Sequence, residues 1–290
     1  MVRWFGRAAI AATGLCLLAT SVPAQVTDPT SLEQKCEATV GKTITKFVGS
    51  KSKCISKCFA TARKTSGPYT GCKEPAYTDT ATHDCITGSL KGAEAKAGAG
   101  ISKACAAMTS CPACYGTLPG GSAGRCADGS GANSFVVDAE SDVDAPFGPG
   151  TGFPSLIYCL ESGGTTPTKD EAKCEDGVVK ALVKFVGSKQ KCEAKCYANF
   201  YKGSIPGGCD PSMPGGVSDP ATVACIKDPT KGAEAKASAA IIKACTVAVP
   251  GCYTGGANGA ANTFVNSSEA KIDQQTPSIA CGSPSGAFLQ

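Results

Sequence analysis

The sequence predicts a mainly α-helical protein made of two tandem, disulfide-stapled antiparallel helical hairpins with Gly/Pro-rich loops and minor β structure. A repeat is the first observation: KCEATVGKTITKFVGSKSKC at 35–54 returns as KCEDGVVKALVKFVGSKQKC at 173–192. The second observation is that the apolar residues of both segments recur at the spacing of an α-helix. The third is a supply of 19 cysteines in a chain poor in large apolar side chains. We expect the two modules to span 25–165 and 166–290.

Residues 1–24 are expected to form a secretory signal peptide that is cleaved after Ala24. Arg3 and Arg7 precede an apolar stretch, and small residues precede the cleavage point. The protein is therefore expected in the periplasm or the medium, with no later segment apolar enough to span a membrane. The 28 basic and 24 acidic residues lose only those two arginines, so the mature net charge is about +2. This balance gives no reason to expect a nucleic acid partner.

The first helix of each module is predicted from residues 36–62 and from their repeat. Val40, Phe47 and other apolar residues share one broad arc of this helix with its cysteines. Gly49, followed by a serine, is expected to kink or split the helix. Lys51 falls on the apolar side, which an unbroken helix does not explain.

The second helix of each module is predicted at about 89–108 and 229–248, where alanine-rich sequence contains the repeated KGAEAKA. Ser89 and Asp228 are the expected N-terminal caps. Residues 116–170 are rich in Gly, Pro, Ser, Thr and Asp, so we expect mostly loop there, with a short strand around Phe135 to Val137.

An even number of cysteines, 18, remains after Cys16 leaves with the leader, which favours nine structural disulfides. In an antiparallel hairpin, Cys36 faces Cys105, and Cys85 meets Cys54 or Cys58. The remaining members of the set are assigned in the same way. The other of Cys54 and Cys58 takes Cys72, Cys114 takes Cys159, and Cys111 takes Cys126; in the second copy Cys174 takes Cys245, Cys192 or Cys196 takes Cys225, the other takes Cys209, and Cys252 takes Cys281.

A stripe of lysines lies opposite the cysteine-bearing face of each first helix. Its members are Lys35, Lys42, Lys46, Lys53 and Lys57 in the first copy, and Lys173, Lys180, Lys184, Lys191 and Lys195 in the second. Two cationic ridges would suit an anionic partner such as acidic polysaccharide, lipopolysaccharide or phospholipid headgroups. The favoured interpretation, given the near-neutral total charge, is that a helix with one buried face needs a soluble opposite face and that lysine supplies it.

Two groups of residues carry candidate chemistry in the Gly-rich region of the first copy. The first group alternates carboxylates and consists of Asp138, Glu140, Asp142 and Asp144. It suits calcium by ligand type but lacks the EF-hand spacing, so a solvated acidic loop is the favoured interpretation. Cys111 and Cys114 have redox-motif spacing, yet the second copy lacks the first of them, which favours disulfides. No metal or cofactor is predicted.

His83 is the only histidine in the chain, and any Ser-His or Cys-His catalysis would require it. Its counterpart in the second copy is Val223, so an incidental polar residue is the favoured interpretation. A secreted hydrolase using His83 or the acidic residues remains the alternative function.

The KFVGSK core and the cysteine spacing around it resemble cysteine-rich helical repeats in uncharacterised exported proteins of environmental bacteria. The resemblance covers the two helical hairpins and implies no activity. We therefore expect a secreted, non-enzymatic structural or binding protein whose modules act as rigid platforms.

Overall fold

The computed structural model describes residues 31–106, 135–144, 152–211 and 216–280. Across these ranges the chain is mainly helical and forms ten α-helices and one 3-10 helix, with no β-strand. We number the helices α1 Ser31–Thr65, α2 Thr80–Thr87, α3 Ala93–Cys105, α4 Phe135–Asp144, α5 Phe153–Ile157, α6 Cys159–Ser162, α7 Lys169–Tyr201, α8 Pro220–Lys227, α9 Ala233–Ala244 and α10 Gly256–Ile279, and the 3-10 helix is Tyr69–Cys72. No helix in these ranges is long and apolar enough to cross a membrane.

The two longest helices, α1 and α7, are the repeated amphipathic segments of the two modules. Helix α7 begins with a capping box, in which Thr168 accepts a hydrogen bond from the backbone N–H of Glu171 and the Glu171 side chain accepts one in return. Helix α1 runs unbroken for 35 residues through Gly49, so the expected split there is wrong. Gly49 instead allows α1 and α7 to pack closely against each other.

Two short helices, α2 and α8, precede the second hairpin helix in each module and were not predicted. Asp79 and Asp219 cap them by accepting the N–H groups of Thr82 and Thr222. Each capping aspartate begins an Asp-x-Ala-Thr sequence in both copies, and this repeated pattern is the sequence signal that could have revealed these helices.

Helices α3 and α9 begin later than predicted, and their N-caps are Gly92 and Gly232 rather than Ser89 and Asp228. Asp228 instead accepts backbone N–H groups of the preceding turn, from Thr230 and Lys231. A Cβ on either glycine would lie 2.5–2.6 Å from backbone atoms of residues 88 and 228, respectively. The glycine of KGAEAKA is therefore required by close backbone approach.

Residues Phe135 to Val137 lie in helix α4, so the short strand expected there is wrong. Phe135, Val136, Ala139 and Val143 are buried at helical spacing, so one face of the helix packs on the core. The loop expectation for 116–170 fails at this helix and at α5 and α6, because short apolar clusters between glycines supply helices with a face to bury.

Disulfides join the two helices of each hairpin, as the antiparallel arrangement predicts. The pairing of Cys36 with Cys105 is confirmed, as is that of Cys174 with Cys245. The alternatives left open by the sequence are resolved in the same way in both modules. Cys54 pairs with Cys85 and Cys58 with Cys72; Cys192 pairs with Cys225 and Cys196 with Cys209.

The predicted pairings of Cys159 with Cys114 and of Cys252 with Cys281 are wrong, because Cys159 pairs with Cys252. The hydroxyl of Tyr253 also donates a 2.7 Å hydrogen bond to the carbonyl of Ile157. The end of the first module is thus attached to the second, a connection that spacing within one module could not indicate. Cys111, Cys114, Cys126 and Cys281 lie outside the described residues.

The long helices α1 and α7 pack antiparallel at the centre of the molecule. A Cβ on Gly49 would lie 3.2 Å from Val183, and a Cβ on Gly187 would lie 3.3 Å from Thr45. Because Gly187 and Val183 are the repeat counterparts of Gly49 and Thr45, these two contacts are related by an approximate twofold axis. Glycine at both positions lets the helix backbones approach closely.

Candidate functional site

All ten lysines of the two predicted stripes are exposed, on the outer faces of α1 and α7. The structure brings part of the two stripes together at a groove of about 580 Å³, between the first half of α1, the second half of α7 and the end of α10. Lys42 and Lys46 of α1 and Lys191 of α7 line this groove. The sequence predicted the lysines but not their convergence, which depends on how the two helices pack.

The groove contains aromatic and acidic side chains that the sequence reasoning missed. Tyr201 donates a 3.0 Å hydrogen bond to Glu37 Oε2, and Tyr197 lies beside it with the two ring centres 6.2 Å apart. Glu193 lines the same groove and accepts a 2.6 Å hydrogen bond from Thr276. Glu37 and its counterpart Glu175 follow a cysteine on the buried face in both copies, a signal that could have singled them out.

Burial raises the pKa of Glu193 to about 7, since only 2% of this side chain is accessible to solvent. The hydrogen bond from Thr276 and the charge of Lys189 act in the opposite direction. Burial also raises the pKa of Tyr197 above its usual range. The groove is therefore lined by two carboxyl groups, Glu37 and Glu193, and by two phenols, with three lysines at its rim.

At the opposite end of the α1–α7 pair lie the positions equivalent to the groove, and there the side chain of Tyr158 occupies the space between the two helices. Tyr158 stacks on Phe59 with the ring centres 4.2 Å apart and the planes 20° apart. Its hydroxyl lies within hydrogen-bond distance of Ser56 Oγ (2.8 Å) and donates to Asp176 Oδ1 (3.2 Å). The guanidinium of Arg63 lies 5.3 Å from the Tyr158 ring centre.

Arg63 also joins three carboxylates at this filled end. Its nitrogens lie 2.6 Å from Glu161, 2.9 Å from Glu175 and 3.2 Å from Asp176. Burial, followed by the negative charge of Glu161, raises the pKa of Glu175 to about 9. The cluster ties α1, α6 and α7 together, and the cavity that Tyr158 lines measures about 90 Å³, against about 580 Å³ for the groove.

The acidic residues of the first copy lie on a helix rather than in a solvated loop, so the favoured interpretation of Glu140 and Asp144 is wrong. Both bind Lys51, which is fully buried, and Asp144 Oδ2 lies 2.7 Å from Lys51 Nζ. Tyr77 donates a 2.6 Å hydrogen bond to Asp144. Asp142 instead faces Lys271 of α10 at 3.5 Å.

The second module repeats this arrangement around Lys189, the counterpart of Lys51. Lys189 Nζ lies 2.8 Å from Glu269 and 2.6 Å from Asp273, which occupy the positions of Glu140 and Asp144 on α10. The ion cluster thus explains why a lysine stands on the apolar face of each long helix. In the described ranges no group of three or more potential metal ligands is suited to holding an ion.

The glutamate of each KGAEAKA motif completes these clusters. Burial, followed by the charge of Glu140, raises the pKa of Glu94 to about 7. Burial and the charge of Glu269 raise the pKa of Glu234 to about 7 in the same way. Each pair of neighbouring carboxyls is therefore suited to sharing one proton near neutral pH.

His83 is exposed on α2, and the structure does not place it in a catalytic arrangement. Its ring approaches Thr87 at 3.2 Å and Asp84 at 3.7 Å, and in the described part of the chain both of these partners belong to α2 itself. Asp138 is the remaining acidic residue of the predicted group and lies half-buried on α4. The Gly-rich sequence before α4 lies outside the described residues.

Comparison of the sequence with protein-family models and with curated proteins, and of the fold with solved structures, gave no match.

Proposed function

We propose that this chain is an exported, non-enzymatic binding protein that holds an anionic ligand at the groove between α1 and α7. The observation that carries the proposal is the convergence of Lys42, Lys46 and Lys191 from two helices on one cavity of about 580 Å³. This volume falls within the range of small-molecule and oligosaccharide-sized sites. Lysine ammonium groups at the rim attract anions by charge without dictating one geometry.

Disulfide content supports a protein that works outside the cytoplasm. The described residues contain seven disulfides, each joining helices or loops that would otherwise depend on small cores. Such cross-links persist in oxidising compartments. The signal-peptide pattern of residues 1–24 points to the same destination. A cross-linked scaffold also keeps the groove formed before its ligand arrives, which lowers the entropy cost of binding.

The positions of the buried charges support binding by the groove rather than by the ion clusters. Lys51, Lys189 and Arg63 are each surrounded by at least two carboxylates and so are already neutralised. The exposed lysines are the cations available to an external partner. Their contribution should decline as salt screens the interaction.

The test compares two triple variants that remove the same charge. Lys42→Gln/Lys46→Gln/Lys191→Gln alters the groove, whereas Lys180→Gln/Lys184→Gln/Lys53→Gln alters the counterpart positions at the filled end. Each exposed pair is worth about 0.2–1 kcal/mol, so the groove variant should bind dextran sulfate about tenfold more weakly. Neutral dextran serves as the control polymer, and affinity is measured by biolayer interferometry at two salt concentrations.

Equal loss in the two triple variants would assign binding to net charge and would contradict a groove site. Equal retention of dextran sulfate and neutral dextran by the unaltered protein would contradict an anionic ligand altogether.

A further inference from the structure

A mainly aliphatic cavity of about 90 Å³ lies between the two long helices, α1 and α7, and the helices α4, α5 and α10 that pack on them. All the residues that line it belong to the described ranges. We call this cavity the central slot. Its walls on the long helices include Ile44, Val48 and Ile55 of α1 and Leu182, Val183 and Val186 of α7. Such walls offer a water molecule few hydrogen-bond partners and favour an apolar occupant.

The central slot is long and narrow. The α1 residues that line it run from Ile44 to Ile55, which corresponds to about 16 Å of helix. A volume of about 90 Å³ spread over that length leaves a space of small cross-section. A compact apolar cavity of about 150 Å³ takes up benzene. The smaller and more extended slot therefore suits an unbranched alkyl chain better than a ring.

The central slot meets the lysine groove at Gln190, which lines both of them. Thr45 of α1 donates a hydrogen bond to the side-chain oxygen of Gln190. The Thr45 hydroxyl also lies 2.9 Å from the carbonyl oxygen of Gly41, so it keeps an acceptor when the Gln190 side chain turns away. Lys46 and Lys191 follow Thr45 and Gln190 in the sequence, and both line the groove.

The cations near the central slot differ in their surroundings. Lys271 lines the slot itself, but its Nζ lies 3.5 Å from Asp142, which already pairs it with an acid. Lys46 and Lys191 are exposed at the rim of the groove. An anionic group is therefore attracted to the groove side of Gln190, and an alkyl chain to the slot side.

On the basis of the proposed function, we propose that the anionic ligand of the groove is an unbranched fatty acid whose alkyl chain enters the central slot past Gln190. Its carboxylate stays at Lys46 and Lys191. Each methylene group that leaves water for the slot adds to the affinity, and the lysines fix the orientation of the charged end. The small cross-section of the slot selects a ligand with one chain.

The experiment titrates butyrate, hexanoate and octanoate into the oxidised full chain by isothermal titration calorimetry. Affinity should rise roughly fourfold for each added methylene. Val186→Phe and Val48→Phe each place a ring in the slot from a different long helix, and each should weaken octanoate binding about tenfold or more. Val247→Phe is the matched control, because Val247 is 79% exposed, and it should bind octanoate like the unaltered protein. Circular dichroism and intact disulfides establish which variants are folded.

Dextran sulfate separates this inference from the proposed function. The slot variants should leave dextran sulfate binding unchanged, whereas the groove lysine triple should weaken binding of both dextran sulfate and octanoate. Equal affinity of the unaltered protein for butyrate and octanoate would overturn the fatty acid, and so would equal affinity of octanoate for the folded slot variants and Val247→Phe. Adamantane-1-carboxylate, which is too bulky for the slot, should bind more weakly than octanoate; equal binding would place the apolar group in the wide groove and would also overturn the proposal.

Discussion

Lys51 and Lys189 stand at positions that helical periodicity assigns to the core, and the structure shows what holds them there. Each ammonium group lies between a glutamate and an aspartate on one face of a packed helix. Burial of these carboxylates opposes their ionisation and raises the pKa of Asp144 and Asp273 despite the lysines. The clusters are therefore costly to disrupt from either side.

Lys51→Met should lower the free energy of unfolding by about 3–5 kcal/mol at pH 8, because it leaves two carboxylates without their buried cation. Lys53→Met, on the exposed stripe, should change it by no more than about 0.5 kcal/mol. Urea unfolding followed by circular dichroism measures both. The loss from Lys51→Met should be smaller at pH 5, where Asp144 takes up a proton more readily. Equal stability of the two variants would refute the structural role of the cluster.

Glu94 and Glu234 make stability depend on pH in the range where most carboxyls no longer titrate. The pKa of each is about 7 in the folded protein, above the ordinary glutamate value near 4.5. Between these values the folded state holds protons that the unfolded state has released. Their stabilising contribution is therefore complete below about pH 4.5 and is lost as pH rises through about 7.

The melting temperature of the protein should fall between pH 5 and pH 8, and Glu94→Gln/Glu234→Gln should reduce that fall. Glutamine stays neutral and removes the repulsion within each carboxyl pair. Part of the dependence should remain, because burial also raises the pKa of Glu193 to about 7 and that of Glu175 to about 9. Asp84→Asn, at an exposed position, is the control. A double variant with the same pH profile as the unaltered protein would contradict the shared-proton arrangement.

At the scale of secondary structure, the two long helices could be predicted because 3.6-residue periodicity and matched cysteines mark them twice. Gly49 misled the prediction, since a glycine within a helix weakens it by about 1 kcal/mol. The packing against α7 explains this glycine, because a Cβ at position 49 would approach the side chain of Val183. Helix α4 escaped prediction because its ten residues offer too few turns for periodicity to stand out within a Gly-rich region.

Gly49→Leu should destabilise the protein by about 1–3 kcal/mol through overpacking against α7, although leucine favours a helix more than glycine does. Ser50→Leu, at the exposed next position, should be within about 0.5 kcal/mol of the unaltered protein. Thermal and urea unfolding provide the comparison. Stabilisation by Gly49→Leu would contradict the close approach of α1 and α7 at Gly49.

At the scale of the whole molecule, the two modules exchange their ends. Ile157 of the first module packs in the core of the second, and Ile279 of the second packs in the core of the first. The Cys159–Cys252 disulfide closes one side of this exchange. In the repeat alignment, Cys281 corresponds to Cys159 and Cys114 corresponds to Cys252.

Peptide mapping of the unreduced protein should therefore find Cys114 joined to Cys281, in addition to the Cys159–Cys252 link. Cys111 and Cys126 are then left to pair with each other, as their joint absence from the second copy predicts. Mass spectrometry of proteolytic fragments before and after reduction is the measurement. A fragment joining Cys281 to a cysteine other than Cys114 would contradict a symmetric pair of disulfides between the modules.

The sequence alone determined the features that depend on local order: the helical hairpins, the lysine stripes and the disulfide that joins the start of the first helix to the end of the second in each hairpin. Cys36 and Cys105 could be paired from spacing because both lie on one predicted hairpin. The convergence of Lys42 and Lys191, the partners of Lys51 and the link from Cys159 to Cys252 were decided by tertiary structure. Each of these features joins residues from helices whose relative placement depends on packing between the two modules. A repeat in the sequence predicts the structure of each module, but it does not predict how the two modules pack against each other.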